Sequence, residues 1–199
     1  MMTDRFSGMI KVPQEPAAKL LAKASARLTA AIAAPDDASV ADVLVELEAR
    51  DELFDMLHLL AVALPPRERV WWACLAARDY VGPKSDRDPP PLAAAEAWVF
   101  EPTDDNRSAA SAAIDAAYVD DDTVNCAMAA LYSDGTLGPG DLAKFPAPAG
   151  VAEAAAFGMN MVALGELSDR FEEHGILLVD RAVNIARGGN GRLEETGSA

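Results

Sequence analysis

Apolar residues along the chain recur at a helical period almost throughout, and the β-branched alternation expected of strands is nearly absent. Proline, aspartate and glycine punctuate the pattern at intervals suited to helices, and eight or nine helices are predicted. The first covers 16–33, with Leu20, Leu21, Leu28 and Ile32 on one side, and ends before Pro35. Ser39 stands where an N-cap belongs, opening a helix to about residue 50, and a further helix covers 51–64. Pro65 stops that helix, while Pro66 suits the first turn of the next, over 66–81, with Gly82 as its end. Pro89 to Pro91 lead into a helix ending near Phe100. Thr103, followed by Asp104 and Asp105 at the positive end of the dipole, caps a helix to about residue 118. One of Asp120 to Asp122 caps the next, whose buried stripe is Val124, Ala127, Met128 and Leu131. Residues 134–150 are the longest irregular stretch, expected as a covering or a functional loop. Helix is predicted again over 151–174, broken near Gly165; Gly175 ends it, and 176–187 make the last helix.

The fold class expected is therefore all-α, a single domain over 16–187 with a flexible segment 1–15 before it and a disordered tail 188–199 after it. Alanine-rich stretches at 108–118 and 152–156 allow close helix approach, which favours antiparallel hairpins. A weak echo between "WACLAA" (72–77) and "NCAMAA" (125–130) leaves a solenoid-like array as the alternative.

Composition narrows the picture further. With 199 residues and 51% hydrophobic content, one domain with a sizeable core is expected. A net charge of −15 repels phosphate backbones, and no basic stripe offsets it, so nucleic acid is not an expected partner. The N-terminal stretch lacks an apolar run of the kind a signal peptide or membrane helix needs, which places the chain in the cytoplasm, away from membranes. Cys74 and Cys126 lie in apolar helical patterns and form no CxxC pair; they read as core residues in a reducing compartment.

One stretch departs from the background of alanine and acid: "LPPRERVWWACLAARDYV", 64–81. At about 100° per residue, Val70, Cys74, Ala77 and Val81 share one stripe that Trp71 flanks, while Trp72 points elsewhere with Ala76 and Asp79. Such a helix is either sandwiched between neighbours or carries an exposed anchor. The sandwiched reading buries Trp71 in the main core and packs Trp72 against the helix containing Trp98. The anchor reading makes Trp72, Arg69 and Trp98 candidate partner-binding residues, since aromatic and arginine side chains dominate binding hot spots. Arg67, Arg69 and Arg78 are expected to tie this helix to carboxylates such as Glu96 or Asp104.

Catalytic signatures are missing. The acidic run 120–122 and the segment near Asp134 lack the ligand spacing of a calcium loop, and "GGNGR" (188–192) follows a helix and lacks the Lys-Ser/Thr ending of a phosphate loop. His58 and His174 have no partner at metal or triad spacing, and no G-x-S-x-G occurs. No catalytic residue, metal ligand or cofactor is assigned.

The run "PRERVWWACLAAR", followed by "AAEAWVFEPTDDNRSAASAA" and a Gly/Pro-rich loop before a final helical pair, resembles an uncharacterised family of helical bacterial proteins found among type VI secretion genes. The resemblance extends from about Pro16 to Arg187 and rests on Pro66, Arg67, Val70, Trp71, Trp72, Ala73, Arg78, Trp98, Pro102 and Asn106. The loop of this chain is less proline-dense than the family pattern and lacks a tryptophan near Leu131. The resemblance implies no activity. Two functions compete: a protein-interaction module, such as an adaptor, chaperone or accessory for a secreted effector, and a small-molecule binder or enzyme with a pocket between helices.

Overall fold

The computed structural model describes residues 5–193, and among them the fold is all-α. Nine α-helices occur in the described residues: α1 (Ala17–Lys23), α2 (Val40–Glu48), α3 (Leu53–Ala63), α4 (Pro66–Val81), α5 (Pro90–Phe100), α6 (Asp104–Ala116), α7 (Val124–Leu131), α8 (Val151–Glu166) and α9 (Phe171–Ala186). Their ends obey local chemistry. Ser39 caps α2 in a reciprocal box with Asp42, Thr103 accepts from the Asn106 N–H at the start of α6, and Pro66 occupies the first turn of α4.

α4 is the central wall. Its Trp72, Leu75 and Ala76 face one apolar cluster, built from α2, α3, α9 and the segments around α1, while Val70, Ala73, Cys74 and Ala77 face a second cluster with α5, α7 and α8. α8 packs on both α3 and α4, which are far from it in sequence; the arrangement is a bundle, whereas a stacked array contacts only neighbouring repeats. Cys74 on α4 and Cys126 on α7 are buried free thiols, and burial beside Cys126 pushes the Cys74 thiol up.

Several elements differ from the sequence pattern, each for a tertiary reason. The helix expected over 16–33 ends at Lys23. Residues 24–25 turn the chain, with Ser25 at φ +50°, and 26–34 run on as a strap; Ala24, Ala26, Leu28, Ala30, Ile32 and Ala34 turn toward the core at every second position. Carboxylates of the helices beneath replace the helical hydrogen bonds: Asp55 accepts from the Thr29 and Ala30 N–H groups (2.9 and 2.6 Å), and Glu46 from those of Ala33 and Ala34 (2.7 and 2.8 Å).

Gly175, expected to stop a helix, lies inside α9, where it lets that helix meet Leu53; a Cβ there would sit 2.4 Å from Leu53 Cδ2. The real break is the short 3-10 turn at 168–170. The segment expected to be flexible at 1–15 is packed where it is described. Phe6, Met9 and Val12 are buried, and the Lys11 N–H donates to Ala186 O (2.9 Å). Of the tail 188–199, residues 188–193 are described: Gly191 is buried and its N–H donates to Asn184 Oδ1 (2.9 Å); the remainder lies outside the described residues.

The loop 134–150 folds back on itself. Leu137 N–H donates to Phe145 O and Ala147 N–H to Gly135 O, each at 2.9 Å. Buried Arg107 of α6 holds its root through Leu131 O (2.8 Å) and both oxygens of Asp134.

Candidate functional site

The residues singled out as partner-binding are internal. Trp72 is fully buried, and its Nε1–H donates to Leu178 O of α9 (2.9 Å), so it packs toward α9 and away from the Trp98 helix. Trp98 is buried in the other cluster, where its Nε1–H has no acceptor among the described residues. The two adjacent tryptophans exchange their expected roles. Trp71 is only half buried: its Nε1–H donates to Asn190 O (2.7 Å), its ring meets Phe100 edge-on at 6.0 Å, and Arg192 lies 5.4 Å over it. The reason lies in which stripe of α4 faces which cluster; alanines at 73, 76 and 77 allow close approach on both sides and leave Trp72 to fill the larger gap.

Arg69 is likewise structural. Its Nε donates to Ala61 O (2.6 Å) and its Nη2 to Leu64 O (2.9 Å), closing the C-terminal carbonyls of α3, while Nη1 pairs with Glu153 at 2.9 Å. Arg67 does the same at the end of α5, donating to Val99 O at 2.6 Å, and Arg107 at the end of α7. Three of the chain's few cations thus sit at the negative ends of helices, where cations are favoured. Arg78 takes the tie to Glu96 expected of it (2.7 and 2.8 Å) and adds a bidentate pair with Asp88 (2.9 and 2.6 Å). Asp104, the other carboxylate considered, faces Arg107 instead.

A second polar cluster joins α4 to α9. Asp79 accepts from both terminal nitrogens of Arg181 (2.5 and 2.9 Å) and lies 2.8 Å from His174 Nε2. Burial pushes the Asp79 carboxyl up, but the bonds from His174 and Arg181 outweigh it and leave it below the ordinary carboxylate value. His174 and Asp79 have the spacing of an acid–base dyad, yet no serine, threonine or cysteine is bonded to the imidazole, and its Nδ1 is buried without a partner among the described residues. The cluster ties helices together.

What remains at the surface is an aromatic seam over α3, α8 and α9. Phe54 (49% exposed) and Phe171 (37% exposed) meet edge-to-face at 6.0 Å, and one turn along α3 His58 stacks on Phe157 at 4.7 Å. Burial holds the His58 imidazole below its ordinary value, so at neutral pH it is an uncharged ring within the seam. Exposed Asp51, Asp169, Glu172 and Glu173 lie beside the two phenylalanines in sequence and outnumber the exposed cations there, Arg50 and Arg170. Of this seam the sequence drew attention only to His58, as a histidine without metal or triad spacing; Phe54 and Phe171 occupy positions that a helical pattern assigns to ordinary amphipathic faces. Among the described residues, no group of three or more His, Cys, Asp or Glu side chains is arranged to hold a metal ion, and no helix is long and apolar enough to cross a membrane.

Comparison with known proteins adds one match. No curated protein and no solved structure matches the chain. A profile described as a family of unknown function, DUF6931, matches residues 43–186, from α2 to the last residue of α9 and including the α4 wall. The chain belongs to that family.

Proposed function

We propose that this protein is a cytoplasmic, non-enzymatic interaction module whose aromatic seam receives a basic, apolar segment of a partner protein. The observation that carries the reading is the Phe54 and Phe171 pair, two large rings that touch each other yet stay substantially in water. Rings left at a surface beside uncharged His58 offer area that a partner can bury at low entropic cost. The carboxylates beside the seam and the net charge of −15 select a cationic segment and repel an acidic one. In keeping with the resemblance to proteins found among type VI secretion genes, the partner proposed is a secreted effector, and the role that of adaptor, chaperone or accessory.

Affinity capture from the native host, with wild type beside Phe54→Ser and Phe171→Ser, tests the reading. Wild type is expected to retain a stoichiometric basic partner that high salt weakens. Both substitutions are expected to release it while the melting temperature stays near that of wild type. A partner held equally by both variants would assign the contact to another surface and overturn the proposal.

A further inference from the structure

The chain has two cysteines, and the fold brings them together. Cys74 lies midway along α4 and Cys126 in the first turn of α7, one in each half of the echo between 72–77 and 125–130. Both are free and fully buried in the second cluster, and their thiols are hydrogen-bonded to each other. Ala73 and Ala77 beside Cys74, and Ala127 and Ala130 beside Cys126, are fully buried and let the two helices approach closely. A cysteine kept only as a small apolar residue needs no second sulfur. Here the two sulfurs meet although residues 75–125 lie between them in sequence.

We infer that Cys74 and Cys126 form a reversible disulfide between α4 and α7 when the protein meets hydrogen peroxide. One sulfur attacks a peroxide oxygen; the O–O bond breaks, the sulfur becomes a sulfenic acid, and the departing hydroxide takes up the thiol proton as water. The second thiol attacks that sulfenic sulfur, the S–S bond forms, the S–O bond breaks and a second water leaves. Two thiols thus lose two electrons and two protons, and one peroxide becomes two waters. A dithiol reductant reverses the bond by exchange. In a reducing compartment the dithiol is the resting form, and a disulfide made there is a transient, redox-sensing one.

Burial selects the oxidant and sets the rate. Neither cysteine is exposed, so a bulky disulfide is shut out while the helices stay packed, whereas peroxide, little larger than water, enters on local opening. The adjoining thiol captures the sulfenic acid before further oxidation. The bridge encloses α5 and α6 in a covalent loop and restricts the unfolded chain, so the oxidised form is the more stable one. This inference does not depend on the aromatic seam.

The test is mass spectrometry and thermal unfolding of the folded full chain at neutral pH, with and without hydrogen peroxide in modest excess. A Cys74–Cys126 linked peptide pair, about 2 Da lighter than its two thiol peptides, is expected within single chains and is expected to disappear on treatment with dithiothreitol. The melting temperature is expected to rise by about 5 °C or more on oxidation and to return on reduction. Cys126→Ala is expected to lose both the linked pair and the thermal shift. Two thiols that survive peroxide unchanged, oxygen adducts in place of the bond, or a bond between two chains would each overturn the inference. So would a fall in melting temperature on bridging, or the same thermal rise in Cys126→Ala.

Discussion

Replacing Asp79 by Asn tests whether one carboxylate joins the central wall to the last helix. The side chain keeps its size but loses its charge, and its amide nitrogen becomes a donor facing donors on Arg181 and His174. Arg181 and His174 side chains are 10% and 4% exposed, so water does not readily replace the lost acceptor. Removing one member of a buried pair costs about 3–5 kcal/mol, and the oxygen that Asn retains puts this case near the lower end, at about 3 kcal/mol. For a chain of this size that is a fall in melting temperature of about 6–12 °C. The effect carries a pH signature. The folded carboxyl lies below its ordinary value, so its contribution is fully present above the unfolded value, about 3.9, and is lost as pH falls through the lower folded value. The gap between wild type and variant should therefore close as pH falls below the ordinary carboxylate range. Thermal unfolding followed by circular dichroism measures it, and Arg181→Met in the Asp79→Asn background should recover part of the loss. A single-variant shift under about 2 °C at pH 7 would show that the cluster does not hold α4 to α9.

Other outcomes follow from the same contacts. Trp72→Ala should cost about 3–5 kcal/mol, and Trp71→Ala clearly less, while added quencher should reach Trp71 fluorescence before that of Trp72; equal losses would contradict the burial difference. Arg78 lowers the Asp88 carboxyl to about 2, so the stabilisation from this pair should be full above the ordinary carboxylate range and disappear as pH falls through about 2; Arg78→Gln and wild type should converge there in acid titrations. Gly150 has φ +80°, and a Cβ there would lie 1.9 Å from Ala24 O, so Gly150→Ala should destabilise by about 2–4 kcal/mol, measured by denaturant unfolding. Asp55→Asn should speed hydrogen exchange at Thr29 and Ala30 before it affects α4; unchanged rates would mean that the strap is held by its apolar residues alone.

Much of the helix plan was legible because capping chemistry is local: Ser39, Thr103 and Pro66 mark starts that need no tertiary information. The strap was not, since "ASARLTAAIAA" satisfies helical and alternating patterns alike when half its residues are alanine, and carboxylates more than ten positions away choose between them. Gly175 misled for a related reason. Glycine marks close approach as readily as helix termination, and only the partner, Leu53, distinguishes the two. For the candidate site, the sandwiched reading of the Trp helix held while the assignment of its two tryptophans failed, because phase alone does not say which neighbour leaves the larger gap. Arg78 with Glu96 was readable as opposite charge on adjoining helices; Arg67 and Arg69 capping other helices' carbonyls was not, since a backbone acceptor leaves no mark in the sequence.

Because α4 presents core residues on both sides, neither apolar cluster has a boundary of its own. Cutting the chain on either side of this helix leaves one fragment with an open trough lined by Val70's or Trp72's former neighbours. Unfolding is accordingly a single cooperative event in which both clusters lose their shared partition together, and calorimetric and van't Hoff enthalpies should agree. Fragment complementation inherits the same constraint: two pieces can reassemble only if the one that carries α4 is templated on both faces at once.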